Sequence, residues 1–182
     1  LSELIGTEVF VKHENHNPTG TFKIRGGLNL IQSLKKANVA GVITFSPGNH
    51  GLSIAAASQW LGGKATVVVP WNNNPVKNNA IQSYGAELIE AGKNFDEASA
   101  RVQELCHERN LYYAHPCNEP HIINGVATGF LEVVEELPDV DVMIVPLGGG
   151  SEVAAAVTVF QALKPQVQII AVQAERSPAA WE

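Results

Sequence analysis

Apolar positions along this chain fall into short blocks whose spacing switches between a period of two and a period of about 3.6. Strand-like blocks are expected at 8–13, 42–45, 65–69, 86–90, 111–115, 142–145 and 167–173. Between them, helical spacing is expected from Lys23 to about Lys36, then over 53–61, 75–84, 96–109, 122–137 and 153–163. The 96–109 helix carries one apolar stripe, Phe95, Ala98, Val102 and Leu105, with charges opposite. Punctuation agrees with this division. Gly62-Gly63 closes one helix, Pro70 stops a strand, Pro75 suits a first helical turn and Pro138 ends the long helix. Strands alternating with helices predict an α/β fold of open parallel sheets covered by helices. The run of short βα units at 41–116 reads as a small lobe. Residues 1–40 and 117–182 would form a second, larger one.

Composition narrows the class without changing the fold. The 182 residues are 45% hydrophobic and 16% charged, enough to build a core. With a formal charge of −6 and no basic run beyond Lys35-Lys36, a nucleic-acid surface is not expected. No apolar run approaches the roughly 18 residues of a membrane span. Cys106 and Cys117 form neither a CxxC nor a disulfide framework, so a reducing, cytoplasmic setting is the expectation. The six histidines show no metal-ligand spacing, and no metal site is expected. Both ends read as cut, since Leu1 leads almost at once into a strand and Trp181-Glu182 follows one.

Candidate chemistry sits in three loops at strand ends, where open α/β sheets bind ligands. In Thr19-Gly20-Thr21-Phe22-Lys23, the lysine stands at a helix entrance among N–H groups that lack intrahelical partners. The positive end of the helix dipole favours loss of its proton, and a neutral amine can attack a carbonyl to form a Schiff base. Ser46-Pro47-Gly48-Asn49-His50-Gly51 offers a hydroxyl, an amide, an imidazole and free N–H groups that could clasp a carboxylate, with helix expected only from Leu52. Gly148-Gly149-Gly150-Ser151 precedes a helix and could cradle a phosphate, although it is neither GxGxxG nor a Walker loop. Alone, these loops also read as a solvated lysine, a plain turn and a tight βα turn. Together, a Schiff-base lysine, a carboxylate clasp and a phosphate cradle match what pyridoxal phosphate needs to act on an amino acid.

In order and spacing, these motifs resemble those of the serine/threonine dehydratase group of fold-type II pyridoxal-phosphate enzymes. The likeness extends over His115-Pro116 and Asn124-Gly125-Val126-Ala127-Thr128-Gly129. It implies the two-lobed fold of that family, present as a fragment lacking N- and C-terminal parts, with the small lobe closing over substrate. It implies that Lys23 carries the coenzyme, Phe22 packs on its ring, Asn49 meets its 3-hydroxyl, and Gly148, Gly149, Gly150 and Ser151 bind its phosphate. Ser46, Gly48, Asn49 and His50 would hold the substrate carboxylate. The implied reaction is loss of water and ammonia from a β-hydroxy amino acid such as L-threonine or L-serine, giving a 2-oxo acid. The full-length protein would be a homodimer.

Departures from the family pattern shape the alternatives. Pro47 stands where related racemases carry a serine that protonates the opposite face, which favours elimination over racemisation. Gln173 and Ala179 stand where a divalent-metal-binding branch has carboxylates, so no Mg²⁺ or Ca²⁺ is expected there. Ser151-Glu152 replaces a glycine and an apolar residue, and Val126-Ala127 replaces a more usual Gln-Gly. A racemase, a β-replacement synthase, threonine synthase or a non-catalytic ligand-binding relative are the alternative readings. A Rossmann-type nucleotide domain is disfavoured by the glycine spacing.

Overall fold

The computed structural model describes residues 1–93 and 95–178. A short helix α1 (Ser2–Ile5) and a single 3-10 turn (Glu14–His16) lead into α2 (Lys23–Leu34). There follow β1 (Gly41–Phe45), α3 (Asn49–Leu61), β2 (Ala65–Val69), α4 (Pro75–Ser83), β3 (Glu87–Glu90), α5 (Phe95–Arg109) and β4 (Leu111–Tyr113). The chain continues through α6 (Pro120–Glu136), β5 (Val142–Pro146), α7 (Ser151–Leu163) and β6 (Gln168–Val172). No helix among the described residues is long and apolar enough to cross a membrane.

The strands form two parallel sheets, one of order β3-β2-β1-β4 and one pairing β5 with β6. All five residues of β2 are buried, as expected for a parallel strand covered on both faces. On α5, Ala98, Val102 and Leu105 are fully buried; the Phe95 side chain, expected on the same stripe, lies outside the described residues. Among the described residues, the β5–β6 pair is covered on one face only. Val145 is 1% exposed beneath α7, whereas Ile144 on the other face is 64% exposed, with Val142, Ile170 and Val172 beside it.

Helix α2 is gripped from two sides through its glycines. A Cβ on Gly26 would lie 2.9 Å from the Ile122 carbonyl of α6, and one on Gly27 would lie 2.8 Å from the Ser53 carbonyl of α3. From the α6 side, a Cβ on Gly125 would run into the Arg25 carbonyl. These are backbone-to-backbone contacts, so no side-chain rotation relieves the clash. Gly125→Ala is therefore expected to destabilise the fold by roughly 1–3 kcal/mol through overpacking, read as a shift in the denaturation midpoint. An unchanged midpoint would contradict this account of how the helix is held.

Three expectations shift. The 8–13 segment forms no ladder, leaving Phe10 63% and Val11 53% exposed, so the described strands number six and not about seven. Its apolar alternation finds no partner strand among the described residues. The second shift is at α3, which starts at Asn49 and not after Leu52, because Gly48 serves as its N-cap and neither Asn49 nor His50 resists a first turn. The third is at β4, which ends at Tyr113, although Ala114 N still donates to Ile43 O at 2.8 Å.

Candidate active site

Lys23 opens α2, and the preceding loop fixes it from both ends. Thr21 is buried, and its Oγ1 accepts from Lys23 N at 3.4 Å. Two residues on, the Arg25 guanidinium pairs with two carboxylates at once. Its Nε and Nη2 donate to Glu14 at 2.8 and 2.9 Å, and its Nη1 and Nη2 donate to Glu132 at 2.7 and 2.8 Å. Nη1 also donates to Thr128 Oγ1 at 3.0 Å. Such forked, charge-assisted bonds fix orientation as well as distance. They tie the 3-10 turn, α2 and α6 together beside the lysine. The Arg25 bonds hold the Glu132 carboxyl down to about 2.

Across the site, the Lys23 amine meets the glycine turn. Nζ donates to Ser151 Oγ at 2.8 Å, joining residues 128 positions apart. Ser151 is 1% exposed and is the first residue of α7, with Gly150 as N-cap at φ 93°, a left-handed conformation that suits glycine. The first intrahelical bond runs from Ala154 N to Gly150 O, so the N–H groups of Ser151, Glu152 and Val153 have no partner within the helix. A Cβ on Gly149 would overlap Cys117 Sγ, while one on Gly148 would meet nothing within 4 Å. The turn is thus closed on its Cys117 side and open at Gly148. Burial of the amine lowers the Lys23 pKa, opposed by Cys117 and Glu152. Nζ also lies 4.9 Å from the centroid of the Phe22 ring.

The 46–51 loop becomes the start of α3. Ser46 is buried and its Oγ accepts from Gly48 N at 3.3 Å. Asn49 is exposed, and its amide has no hydrogen-bond partner among the described residues. Because the first α3 bond is Leu52 N to Gly48 O, the N–H groups of Asn49, His50 and Gly51 are left for a ligand. His50 is 5% exposed, with Nε2 at 3.0 Å from the Ala114 carbonyl. A carbonyl can only accept, so that nitrogen carries the proton and the ring is a neutral Nε2–H tautomer. Burial drives its pKa down to about 4, and the Lys23 charge adds to the effect. The His50 ring is therefore a neutral, fixed group, and only its backbone N–H is offered to an anion.

Two residues join the site that the sequence did not single out. Cys117 backs the glycine turn, held by a bend in which Cys117 N and Asn118 N both donate to His115 Nδ1, at 3.1 and 2.9 Å. Lys77, on α4, carries its ammonium 3.2 Å from where a Gly48 Cβ would lie, placing a cation over the 46–51 loop. Both contacts are tertiary, and no local spacing announces them. Gln173 Nε2 donates to Leu147 O at 3.1 Å; Ala179, the other position considered for a metal, lies outside the described residues.

The site thus holds a half-buried amine at one helix entrance, bonded to a second helix entrance behind a triple-glycine turn. The family described as pyridoxal-phosphate dependent enzyme matches residues 1–181. The chain belongs to that family. An L-threonine ammonia-lyase of Geobacter sulfurreducens is 41% identical over 181 residues, covering 99% of this chain and 45% of the relative. The processed form of threonine deaminase isoform 2 from Solanum lycopersicum superposes with a TM-score of 0.88 at 33% identity, over 93% of this chain and 47% of that one. Serine racemase from Dictyostelium discoideum gives a TM-score of 0.91 at 32% identity, over 100% and 61%. The chain spans about half the length of the curated relatives it matches.

As a member of this family, the chain has groups of the right kind for pyridoxal phosphate. The open Gly148 position leaves space at the turn, and the three α7 N–H groups favour a dianion. Lys23 supplies an amine whose burial favours the neutral form, and the Phe22 ring supplies an aromatic face beside it.

Proposed function

We propose that the whole protein is a pyridoxal-phosphate-dependent ammonia-lyase that removes water and ammonia from a β-hydroxy amino acid such as L-threonine or L-serine. The observation that carries this reading is the 2.8 Å bond between Lys23 Nζ and Ser151 Oγ, which sets the amine at the edge of the glycine turn. The names of the relatives, L-threonine ammonia-lyase and threonine deaminase, support the substrate class. Bound there, pyridoxal phosphate would supply an aldehyde to anchor amines and a ring able to delocalise electrons from the substrate α-carbon.

Each residue then has a task. Gly148, Gly149, Gly150 and Ser151 would hold the phosphate, and Lys23 Nζ would be the covalent anchor. Phe22 would face the ring and Asn49 its hydroxyl. Lys23 Nζ, whose burial favours the neutral form, would also be the base that receives the substrate α-proton, with Ser151 Oγ orienting it. The N–H groups at the start of α3, together with Ser46 and Gly48, would hold the substrate carboxylate, and Lys77 would add charge beside them. Residues 41–116 would form the small lobe that closes over the substrate and excludes water, against the larger lobe formed by 1–40 and 117–182. The uncovered apolar face of β5–β6 would be covered by the remainder of the protein, which we expect to act as a homodimer.

The serine racemase likeness raises a second reading, reprotonation of the α-carbon from the opposite face. Pro47 has no side-chain donor for that step. The test is to incubate the complete protein with L-threonine or L-serine and measure 2-oxo acid, ammonia and the D-enantiomer. The lyase reading predicts equal amounts of 2-oxo acid and ammonia with no D-product. D-amino acid formed faster than 2-oxo acid would overturn it.

A further inference from the structure

Glu152 is the one charged group at the glycine turn that the proposed chemistry leaves without a task. It is the second residue of α7, directly after Ser151, and is half-buried. Its carboxyl has no hydrogen-bond or ion-pair partner among the described residues. The charged groups acting on it are Lys23 from α2 and Glu14 from the 3-10 turn, the latter itself held by Arg25. A carboxylate at a helix N-terminus is ordinarily favoured in its charged form. Here burial outweighs that: it pushes the Glu152 carboxyl up to about 7, with Lys23 opposing the rise and Glu14 adding to it.

Building on the proposed cofactor site, we infer that Glu152 couples occupation of the glycine turn by a phosphate ester to the uptake of one proton. The ester would take the three free α7 N–H groups while the carboxyl stands in the same first turn of that helix, and two anions there repel one another at short range in a partly dry site. The balance is simple. A phosphate ester dianion and one solvent proton enter, and the site then holds the dianion beside a neutral Glu152 carboxylic acid. The sign follows from linkage. Below the folded pKa the proton is already present and binding costs nothing extra; as pH rises through it, each ligand must bring a proton, and affinity falls. An apolar side chain at this position would bind phosphate without that dependence.

The experiment uses the complete protein stripped of cofactor, with pyridoxine 5′-phosphate as probe. That ligand has an alcohol in place of the aldehyde, so it reports the phosphate grip without covalent attachment to Lys23. Above about pH 7 a phosphate ester is essentially all dianion, and titration of the probe's own ring, common to wild type and variants, cancels when their profiles are compared. In wild type, affinity should fall by up to about tenfold per pH unit from about pH 7 to about pH 9. Calorimetry in buffers of different ionisation heat should show uptake of close to one proton near the top of that range. Glu152→Gln should hold its affinity within about threefold over the same window and take up correspondingly less proton. Glu152→Leu, which can neither ionise nor accept a hydrogen bond, should give the same flat profile. Parallel decline in wild type and both variants would assign the pH dependence to other groups and overturn this inference alone. Failure of wild type to bind the probe at any pH would overturn the phosphate reading of the turn, and this inference with it.

Discussion

Lys23→Ala in the complete protein is expected to abolish the cofactor's visible absorbance band and to lower turnover of L-threonine by at least about 10⁴-fold, the upper end of what a positioned base contributes. Two losses combine in this variant. The amine is both the proposed covalent anchor and the proposed base for the α-proton, and the Ser151 hydroxyl bonded to it cannot act as a base in its place. The fold should survive. Among the described residues Lys23 makes one side-chain hydrogen bond, it is the first residue of α2, and alanine favours helix more than lysine does. Circular dichroism should therefore match wild type while absorbance and turnover vanish. Turnover within tenfold of wild type would remove Lys23 from the chemistry.

The second large effect is expected at Gly149. Its missing Cβ is what lets the turn lie against Cys117 Sγ. Gly149→Ala must push the turn away from that sulfur and so misalign the α7 N–H groups that would grip the phosphate. Losing one or two charge-assisted bonds should weaken cofactor binding by about 10- to 100-fold. The cause is steric, so a rescue is expected. Cys117→Ala alone should bind the cofactor nearly as wild type does, and the double variant Gly149→Ala/Cys117→Ala should regain most of the lost affinity. A double variant no better than Gly149→Ala would mean that the turn fails for a reason other than its contact with Cys117.

Much of the fold was legible because the apolar period states which elements form, and the alternation of strands and helices leaves few arrangements. Six of the expected strand positions and every expected helix form within a few residues of their predicted bounds. The 8–13 segment misled because alternation reports a strand's faces and says nothing of whether a neighbour exists to pair with it. The late start assigned to α3 had a different cause. Pro47 and Gly48 favour a break, but glycine can cap a helix and still permit it to begin at the next residue.

At the site, Lys23, Phe22 and the glycine turn were legible because each is a local motif at a helix entrance. Their meeting was not, since the Lys23–Ser151 bond depends on how α2 and α7 are placed. The same limit hid Lys77 and Cys117, which reach the site from α4 and from the bend after β4. It also hid the character of His50. A histidine in a polar loop suggests a base or a cation, yet the Ala114 carbonyl and deep burial make its ring a neutral donor. Glu152 was visible as a departure from the family pattern, but only its burial beside Lys23 and Glu14 shows that its charge is costly.

The central claim, that Lys23 carries the cofactor, is tested most directly by reducing the cofactor-loaded complete protein with borohydride and mapping the adduct by peptide mass spectrometry. The account predicts loss of the visible band and a single stable pyridoxyl adduct on Lys23. An adduct on Lys77 or another lysine, or no adduct at all, would contradict it.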